Sequence, residues 1–152
     1  MTNPAERSRK EKEYCNLGNA LHSLGDFRTL IDYIEGDYKI AKELGDRSKE
    51  GVVCASLGNV YHSLGDFKTA IDYHGRDLKI EKELGNRSEE GNAYANLGNA
   101  HISLGDFKTA IDYHERHLKI SKELGDRSGE GNAYGNLGIV RFSLGEIGRA
   151  HV

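Results

Sequence analysis

Glycine recurs along this chain at a fixed interval, and this regularity constrains the fold more than any other feature of the sequence. Fourteen of the 19 glycines fall into four series whose successive members lie 40 residues apart. The series are Gly18, Gly58, Gly98 and Gly138; Gly25, Gly65, Gly105 and Gly145; Gly45, Gly85 and Gly125; and Gly51, Gly91 and Gly131. Residues 67–74 and 107–114 share the sequence FKTAIDYH. Self-similarity at one period is typical of repeat proteins, so we expect an array of one structural unit.

The repeat divides the chain into three full units and part of a fourth. We place the units at about residues 6–45, 46–85, 86–125 and 126–152, the last of them incomplete. Residues 1–5 precede the first unit, and we predict that they form a flexible N-terminal lead.

Each unit is predicted to be a pair of helices. In the second unit, apolar residues from Val53 to Leu64 recur at helical spacing, which indicates a helix A of roughly 16 residues that ends at Gly65. Asp66 is placed to cap a second helix, helix B, whose apolar residues cover more than one stripe. Gly85 ends helix B, and Asn86 is placed to cap the next helix A.

One helix pair cannot bury both apolar stripes of helix B, so the next unit must cover the second stripe. The predicted fold class is therefore all-α, an α-α superhelix or solenoid of stacked antiparallel helix pairs. Gly58 and Gly98 lie in mid-helix, where the missing side chain lets the partner helix approach closely. In the fourth unit a turn at Gly145 leaves residues 146–152 barely into helix B, which predicts an open apolar surface.

These units resemble tetratricopeptide repeats, in which helix A carries an aromatic, Leu-Gly and a second aromatic, and helix B carries Ala, an aromatic and Pro. The matching residues are Cys54, Leu57, Gly58, Tyr61, Ala70 and His74, and Tyr94, Leu97, Gly98, His101, Ala110 and His114. The resemblance covers residues 6–152. The unit has 40 residues instead of about 34, and Lys42, Lys82 or Lys122 replaces the Pro. Units with the phrases NLGNA, SLGDF, AIDYH and KELGDRS resemble those of the LGN/Partner-of-Inscuteable group and related multi-repeat animal proteins.

The balance of charges argues against partners that depend on a strong electrostatic field. Lys and Arg number 21 against 24 Asp and Glu, so we expect no nucleic-acid binding. No apolar run approaches the roughly 20 residues of a membrane span, and the first residues, MTNPAERSRKEKE, lack the apolar segment of a signal peptide. Cys15 and Cys54 are interpreted as small core hydrophobes, and we expect a cytoplasmic protein.

Asparagine recurs on the face of helix A that lies opposite the apolar stripe. In the third unit this face carries Asn92, Asn96, Asn99 and Ser103, at spacings of 4, 3 and 4. Asn is a mediocre helix former, and its carboxamide both donates and accepts, which suits the backbone of an extended ligand. The predicted peptide-binding residues of the concave face are Lys12, Asn16, Asn19, Asn59, Asn92, Asn96, Asn99, Asn132 and Asn136. The alternative is that Asn19, Asn59 and Asn99 bond to neighbouring units and hold the stack.

The resemblance also bears on the charge of the ligand. In groups similar to this one, the place of Asn92 and Asn132 is often Arg, which implies an acidic ligand. Here Lys12 and Val52 occupy the equivalent places, so a neutral polar ligand fits as well as an acidic one.

No pattern of catalytic or metal-binding residues emerges. Phosphate loops, GxSxG, HExxH and CxxC are absent, and Ser, Asp and His recur with the repeat, whereas a catalytic group is needed once. His114 and His117 lie one turn apart, but His74 and His114 stand at aromatic core positions, so we predict packing and no metal site. We expect no cofactor.

The function that these observations favour is a non-catalytic protein-interaction scaffold that binds an extended peptide of a protein partner in its groove. Two alternatives remain open. The first is a structural or self-associating segment of a larger protein, with contacts through the incomplete C-terminal unit. The second is a regulatory part of an enzyme whose catalytic sequence lies outside this chain.

Overall fold

The computed structural model describes residues 3–24 and 26–150, apart from the side chains of residues 15, 18–24 and 150. Its helices are α1 (Pro4–Leu24), α2 (Phe27–Leu44), α3 (Arg47–Ser63), α4 (Phe67–Leu84), α5 (Arg87–Leu104), α6 (Phe107–Leu124) and α7 (Arg127–Ala150). No strand occurs in these two stretches. Helices α2, α4 and α6 begin 40 residues apart, as do α3, α5 and α7. The all-α prediction is confirmed.

Glycines in the left-handed backbone region separate successive helices, as the repeat pattern predicts. Their φ angles lie between +65° and +83°, a range in which a residue with a Cβ atom is strained. Among the residues that the structure describes, these glycines are Gly45, Gly65, Gly85, Gly105 and Gly125. The predicted ends of helix A at Gly65 and of helix B at Gly85 are therefore confirmed.

Aspartates start most of the helices. The Asp66 carboxylate accepts from the backbone amide of Thr69 at 3.2 Å, and Asp126 accepts from that of Gly129 at 2.9 Å. Asn86 occupies the corresponding place before α5, but its side chain forms no capping hydrogen bond. Asn86 is therefore the N-cap residue of α5, as predicted, and it caps the helix through its backbone carbonyl, which accepts from the Glu90 amide at 2.9 Å.

At the N-terminal end, α1 begins at Pro4, two residues before the predicted start of the array. The Asn3 side chain accepts from the backbone amide of Glu6 at 2.8 Å and caps the helix. Pro4 follows at the first helical position, where proline is well tolerated because its missing N–H has no partner there. Residues 4 and 5 of the predicted lead are therefore helical.

At the other end, α7 continues through Gly145 as one helix, so the predicted turn at this glycine is wrong. The earlier copies read Gly-Asp-Phe at this place, where Asp caps helix B. The fourth copy reads Gly-Glu-Ile, and Glu146 instead pairs along the helix with Arg149 at 2.5 Å. Without a capping Asp, nothing in the local sequence starts a new helix, and the existing one continues.

The chain forms two compact units, Met1–Ile80 and Glu81–Val152. In the first, α2 packs against α1 and α3, with Leu30, Val53 and Leu57 in the core. In the second, α6 packs against α5 and α7, with Leu97 and Val140 in the core. Within each unit, a helix B thus has a helix A on either side, which is the predicted reason for its broad apolar surface.

A buried histidine meets a mid-helix glycine in both units. His74 on α4 lies against Gly58 on α3, and His114 on α6 lies against Gly98 on α5. A Cβ atom at either glycine would come within 2.5 Å of the imidazole ring. The histidines are 1% and 0% exposed, so their predicted packing role is confirmed. The space left by each missing side chain is filled by the imidazole ring and not by the backbone of the partner helix. We call each pair a His–Gly notch.

Cys54 is fully buried as a free thiol in the core of the first unit. Burial raises the pKa of the Cys54 thiol, which disfavours the reactive thiolate. The prediction that Cys54 acts as a small hydrophobe is therefore confirmed.

Candidate functional site

A groove of about 760 Å³ opens in the second unit, lined mainly by the polar faces of α5 and α7. Five of the predicted binding residues line it, and we call it the Asn groove: Asn92, Asn96 and Asn99 from α5, and Asn132 and Asn136 from α7. The spacings of 4 and 3 residues on α5 and of 4 residues on α7 keep each set on one helix face. A cavity of this size is within the usual range for ligand pockets, roughly 300–1,000 Å³.

The five amides differ in depth. Asn92 and Asn132 are exposed, whereas Asn96, Asn99 and Asn136 are half-buried. Asn92 donates a long hydrogen bond, 3.4 Å, from its amide to the Glu89 carboxylate one turn earlier. Within the described part of the chain, the amides of Asn96 and Asn99 have no hydrogen-bond partner. These two amides therefore point to a ligand or to water as their partner.

Glycine replaces larger residues at two positions of α7 that line the groove. Positions 129 and 135 are Lys49 and Ala55 in the second repeat and Glu89 and Ala95 in the third, but glycine in the fourth. A Cβ atom at Gly129 would overlap the Asp126 carboxylate and come within 2.6 Å of Ser121 Oγ. The space beside the first turn of α7 is thus taken by polar oxygens, and any larger residue at 129 would displace them.

The charges that line the groove are all acidic. Its two charged residues are Glu89 and Asp126, and neither Lys nor Arg is among the residues that line it. His117 from α6 also lines it and is 6% exposed. Burial lowers the pKa of His117, and Asp126 opposes this effect only in part. The imidazole is therefore uncharged at neutral pH.

The remaining predicted residues belong to the first unit. Lys12 and Asn16 on α1 and Asn59 on α3 are exposed, and the Asn19 side chain lies outside the described residues. None of the four is among the residues that line the Asn groove. Their role in binding stays a prediction.

Three titratable residues of the groove were not predicted as part of a site. Asp126 is recognisable from the sequence only as a helix cap, Glu89 only as a surface charge, and His117 only as a packing residue. The one available signal is that the fourth repeat loses its side chains at positions 129 and 135, which line the same groove. Such a loss is visible in an alignment of the four repeats.

His74 and His114 are packing residues with lowered pKa values. Across the residues that the structure describes, no group of three or more His, Cys, Asp or Glu is arranged to hold a metal ion. Burial lowers the pKa of His74 and of His114 to about 4, and each also lies near a second histidine, His62 or His117, which lowers it further.

In the described residues, no helix has the length and apolar character needed to cross a membrane.

The fold is shared with solved helical-repeat structures. BtubC from P. vanneervenii is 23% identical with a TM-score of 0.80, over 93% of this chain and 59% of that one. Aspartyl phosphate phosphatase F from Bacillus subtilis is 18% identical with a TM-score of 0.86, over 99% and 39%. The N-terminal domain of stress-induced protein-1 from C. elegans is 16% identical with a TM-score of 0.69, over 89% and 98%. The chain thus spans about three fifths of BtubC and two fifths of the phosphatase.

Family models lead to the same fold class. Two models, both described as Tetratricopeptide repeat, match residues 89–151 and residues 16–48 and 53–88, which together make up most of the chain. A comparison with curated proteins finds no match. The predicted TPR-like helical repeat is confirmed, and this chain belongs to the tetratricopeptide-repeat family.

Proposed function

We propose that the chain is a non-catalytic scaffold and that its Asn groove binds an extended polypeptide segment of a protein partner. Tetratricopeptide repeats in general mediate protein–protein interaction, which supports the class of partner. The observation that carries the proposal is the convergence of five carboxamides from two helices on one groove.

The chemistry of these amides suits a peptide backbone. Each carboxamide offers two N–H donors and one acceptor oxygen, and an extended chain presents N–H and C=O groups alternately along its length. Asn96, Asn99 and Asn136 are half-buried, so a bond to a ligand there is partly shielded from competing water. Two helices that each contribute a row of amides can follow a ligand over several residues.

The test is the Asn96→Ala variant. Removing this amide costs one hydrogen bond to the ligand, about 0.5–1.5 kcal/mol, or roughly a three- to tenfold loss in affinity. Stability should barely change, because the Asn96 amide has no partner among the described residues. Calorimetric titration with peptides selected from a displayed random library gives the affinity, and thermal unfolding gives the stability.

Asn86→Ala is the matched control, since Asn86 lies in the same unit, is exposed and makes no capping bond through its side chain. We expect it to leave peptide affinity unchanged. An Asn96→Ala or Asn99→Ala protein that melts earlier but binds as tightly as the parent would show that these amides support the fold and not the ligand.

For Lys12, Asn16, Asn19 and Asn59 we propose the same role, because they hold the equivalent places in the first and second repeats. Single Ala substitutions in the same titration decide which of them touch the peptide. Membership in the LGN/Partner-of-Inscuteable group and a cytoplasmic location remain expectations of the same kind. They are supported by the shared phrases of the repeat and by the low count of cysteines.

Self-association through α7 is a second candidate, favoured by an open apolar surface on that helix. Tyr134 is 55% exposed and Phe142 is 65% exposed, and no described atom lies within 4 Å of a Cβ atom built at Gly138 between them. A second copy of α7 could cover this surface in a symmetric helix pair. Light scattering would then show a dimer that Phe142→Glu converts to a monomer, whereas a monomeric parent protein would eliminate this candidate.

A further inference from the structure

We propose that the Asn groove selects a ligand segment that carries a lysine or arginine side chain, whose cationic group pairs with the carboxylates of Glu89 and Asp126. This inference rests on the proposed function of the groove and names the chemistry of its ligand. It differs from the acidic ligand that the resemblance implies. Three features of the groove support it.

The first feature is charge. Glu89 and Asp126 line the groove and no basic side chain does, so a bound cation would meet two carboxylates and no repulsion from the groove itself. The arginines at the starts of α5 and α7 are engaged elsewhere. Arg87 pairs with Glu90 and Glu123, and Arg127 pairs with Glu130 at 3.1 Å. An acidic ligand would therefore be repelled at this groove.

The second feature is an unused acceptor. His117 lines the groove, is 6% exposed, and has a buried Nδ1 atom with no hydrogen-bond partner. Burial lowers the pKa of this histidine, so its neutral ring has one nitrogen free of a proton. In the tautomer that carries the ring proton on Nε2, the Nδ1 atom is an acceptor, and a donor-rich ligand such as an ammonium or guanidinium group would satisfy this otherwise costly buried atom.

The third feature is apolar surface beside the charges. Ile139 replaces the Asn that the second and third repeats carry at this place, Asn59 and Asn99, and it is 60% exposed in the groove. Lysine and arginine bury the aliphatic part of the side chain against apolar surface while the charged end stays at polar partners. Gly131 and Gly135, also in the groove, leave room for such a side chain.

The N-terminus of a helix such as α7 ordinarily attracts an anion, because its first backbone amides have no partner within the helix. Asp126 already occupies this position. Its carboxylate accepts from the Gly129 amide at 2.9 Å, and its backbone carbonyl accepts from the Glu130 amide at 3.0 Å. The negative charge that the helix end favours is thus supplied by the protein.

The experiment compares capped nonapeptide pools that differ only at the central residue, which is Lys, Arg, Gln or Glu, with random neutral residues elsewhere. Affinities are measured by fluorescence anisotropy at low and high salt. We expect the Lys and Arg pools to bind about three- to tenfold more tightly than the Gln pool, and the Glu pool to bind most weakly. The difference should shrink at high salt, because exposed charges are screened.

The Glu89→Gln/Asp126→Asn variant tests whether these carboxylates cause the preference. Asn at 126 keeps a side-chain oxygen for the helix cap, so the protein is expected to fold, and circular dichroism checks that it does. The Lys and Gln pools should then bind equally. The matched control is Glu43→Gln/Asp46→Asn in the first unit, which alters net charge equally and also changes a capping Asp. This control should keep the preference for Lys.

The outcomes separate the two proposals. Equal binding of the Lys, Gln and Glu pools would overturn selection for a basic residue and leave the peptide groove intact. A preference for Lys that survives in Glu89→Gln/Asp126→Asn would also overturn the assignment to these carboxylates. Failure of every pool, including one selected from random peptides, would overturn the proposed function itself.

Discussion

Gly98 and Gly138 hold the same place in successive repeats, yet their surroundings are opposite. On α5, Gly98 lies under the His114 ring, and a Cβ atom there would come within 2.5 Å of its Nε2. On α7, a Cβ atom at Gly138 would meet no described atom within 4 Å. The neighbouring aromatic residue follows the same division, since Tyr94 is 5% exposed and Tyr134 is 55% exposed.

The comparison shows that the neighbouring helix, and not the glycine itself, decides what the glycine contributes. At Gly58 and Gly98 the missing side chain is required by a buried imidazole. At Gly138 the same residue has only its intrinsic effect on the helix, a destabilisation of roughly 1 kcal/mol relative to Ala. Substitutions at Gly98, which has a ring against it, and at Gly138, which has none, can therefore be compared within a single protein.

Acidification should give the largest effect, because each occupied notch buries a histidine, whereas the open position at Gly138 has none against it. The pKa of His74 and of His114 falls from 6.5 to about 4 in the folded protein. Between these values the unfolded chain binds a proton that the folded chain rejects, so stability falls as the pH drops from about 6.5 towards 4. Each histidine should cost up to about 3 kcal/mol over this range, measured by urea unfolding at pH 7, 5.5 and 4.5.

The His114→Leu variant separates this effect from the titration of carboxylates. Leucine fills the notch without a titratable group. The loss of unfolding free energy between pH 7 and 4.5 should therefore be smaller in this variant, by the amount that His114 contributes in the parent protein. His74→Leu provides the equivalent test in the first unit. A pH dependence that both variants leave untouched would show that the notches do not exclude protons.

Adding a methyl group to an occupied notch should give the next largest effect. Gly98→Ala forces the new Cβ atom against a ring that is fully buried and cannot turn towards solvent. Overpacking of this kind costs about 1–3 kcal/mol, and the better helix propensity of Ala recovers up to roughly 1 kcal/mol of it. We expect a net loss of about 1–2 kcal/mol, measured by thermal or urea unfolding.

A double-mutant cycle locates the cause of that loss. His114→Ala removes the ring that the new methyl group meets, so Gly98→Ala should be less damaging in the His114→Ala background than alone. Equal losses in the two backgrounds would mean that the ring is not what excludes the methyl group.

The notches also show how far the sequence predicts the fold. The 40-residue period, the turn glycines and the aspartate caps are local features, and each fixes a helix boundary without knowledge of the neighbours. The two helix boundaries that differ from the prediction also have local causes. Asn3 starts α1 early, and Glu146 replaces the Asp that would start a new helix after Gly145.

The candidate site is less predictable, because it depends on which residues of different repeats meet. Five asparagines of the groove follow from helix periodicity alone, since they repeat on one face of helix A. Asp126 and His117 do not, because one belongs to a turn and the other to helix B, and only packing of α5, α6 and α7 brings them to one groove. Periodicity within one helix carries no information about such contacts.

The smallest expected effect is at Gly138, the repeat position that has no histidine ring against it. Gly138→Ala introduces a methyl group where no described atom lies within 4 Å, so there is nothing for it to displace. The substitution should stabilise α7 by about 0.5–1 kcal/mol, because alanine loses less backbone entropy than glycine in a helix. Unfolding curves of Gly138→Ala and Gly98→Ala, measured side by side, should therefore shift in opposite directions. A loss of stability in Gly138→Ala would show that another chain covers this face in solution, and light scattering of the parent protein would then report an oligomer. A gain that does not vary with protein concentration would instead show that the face is open.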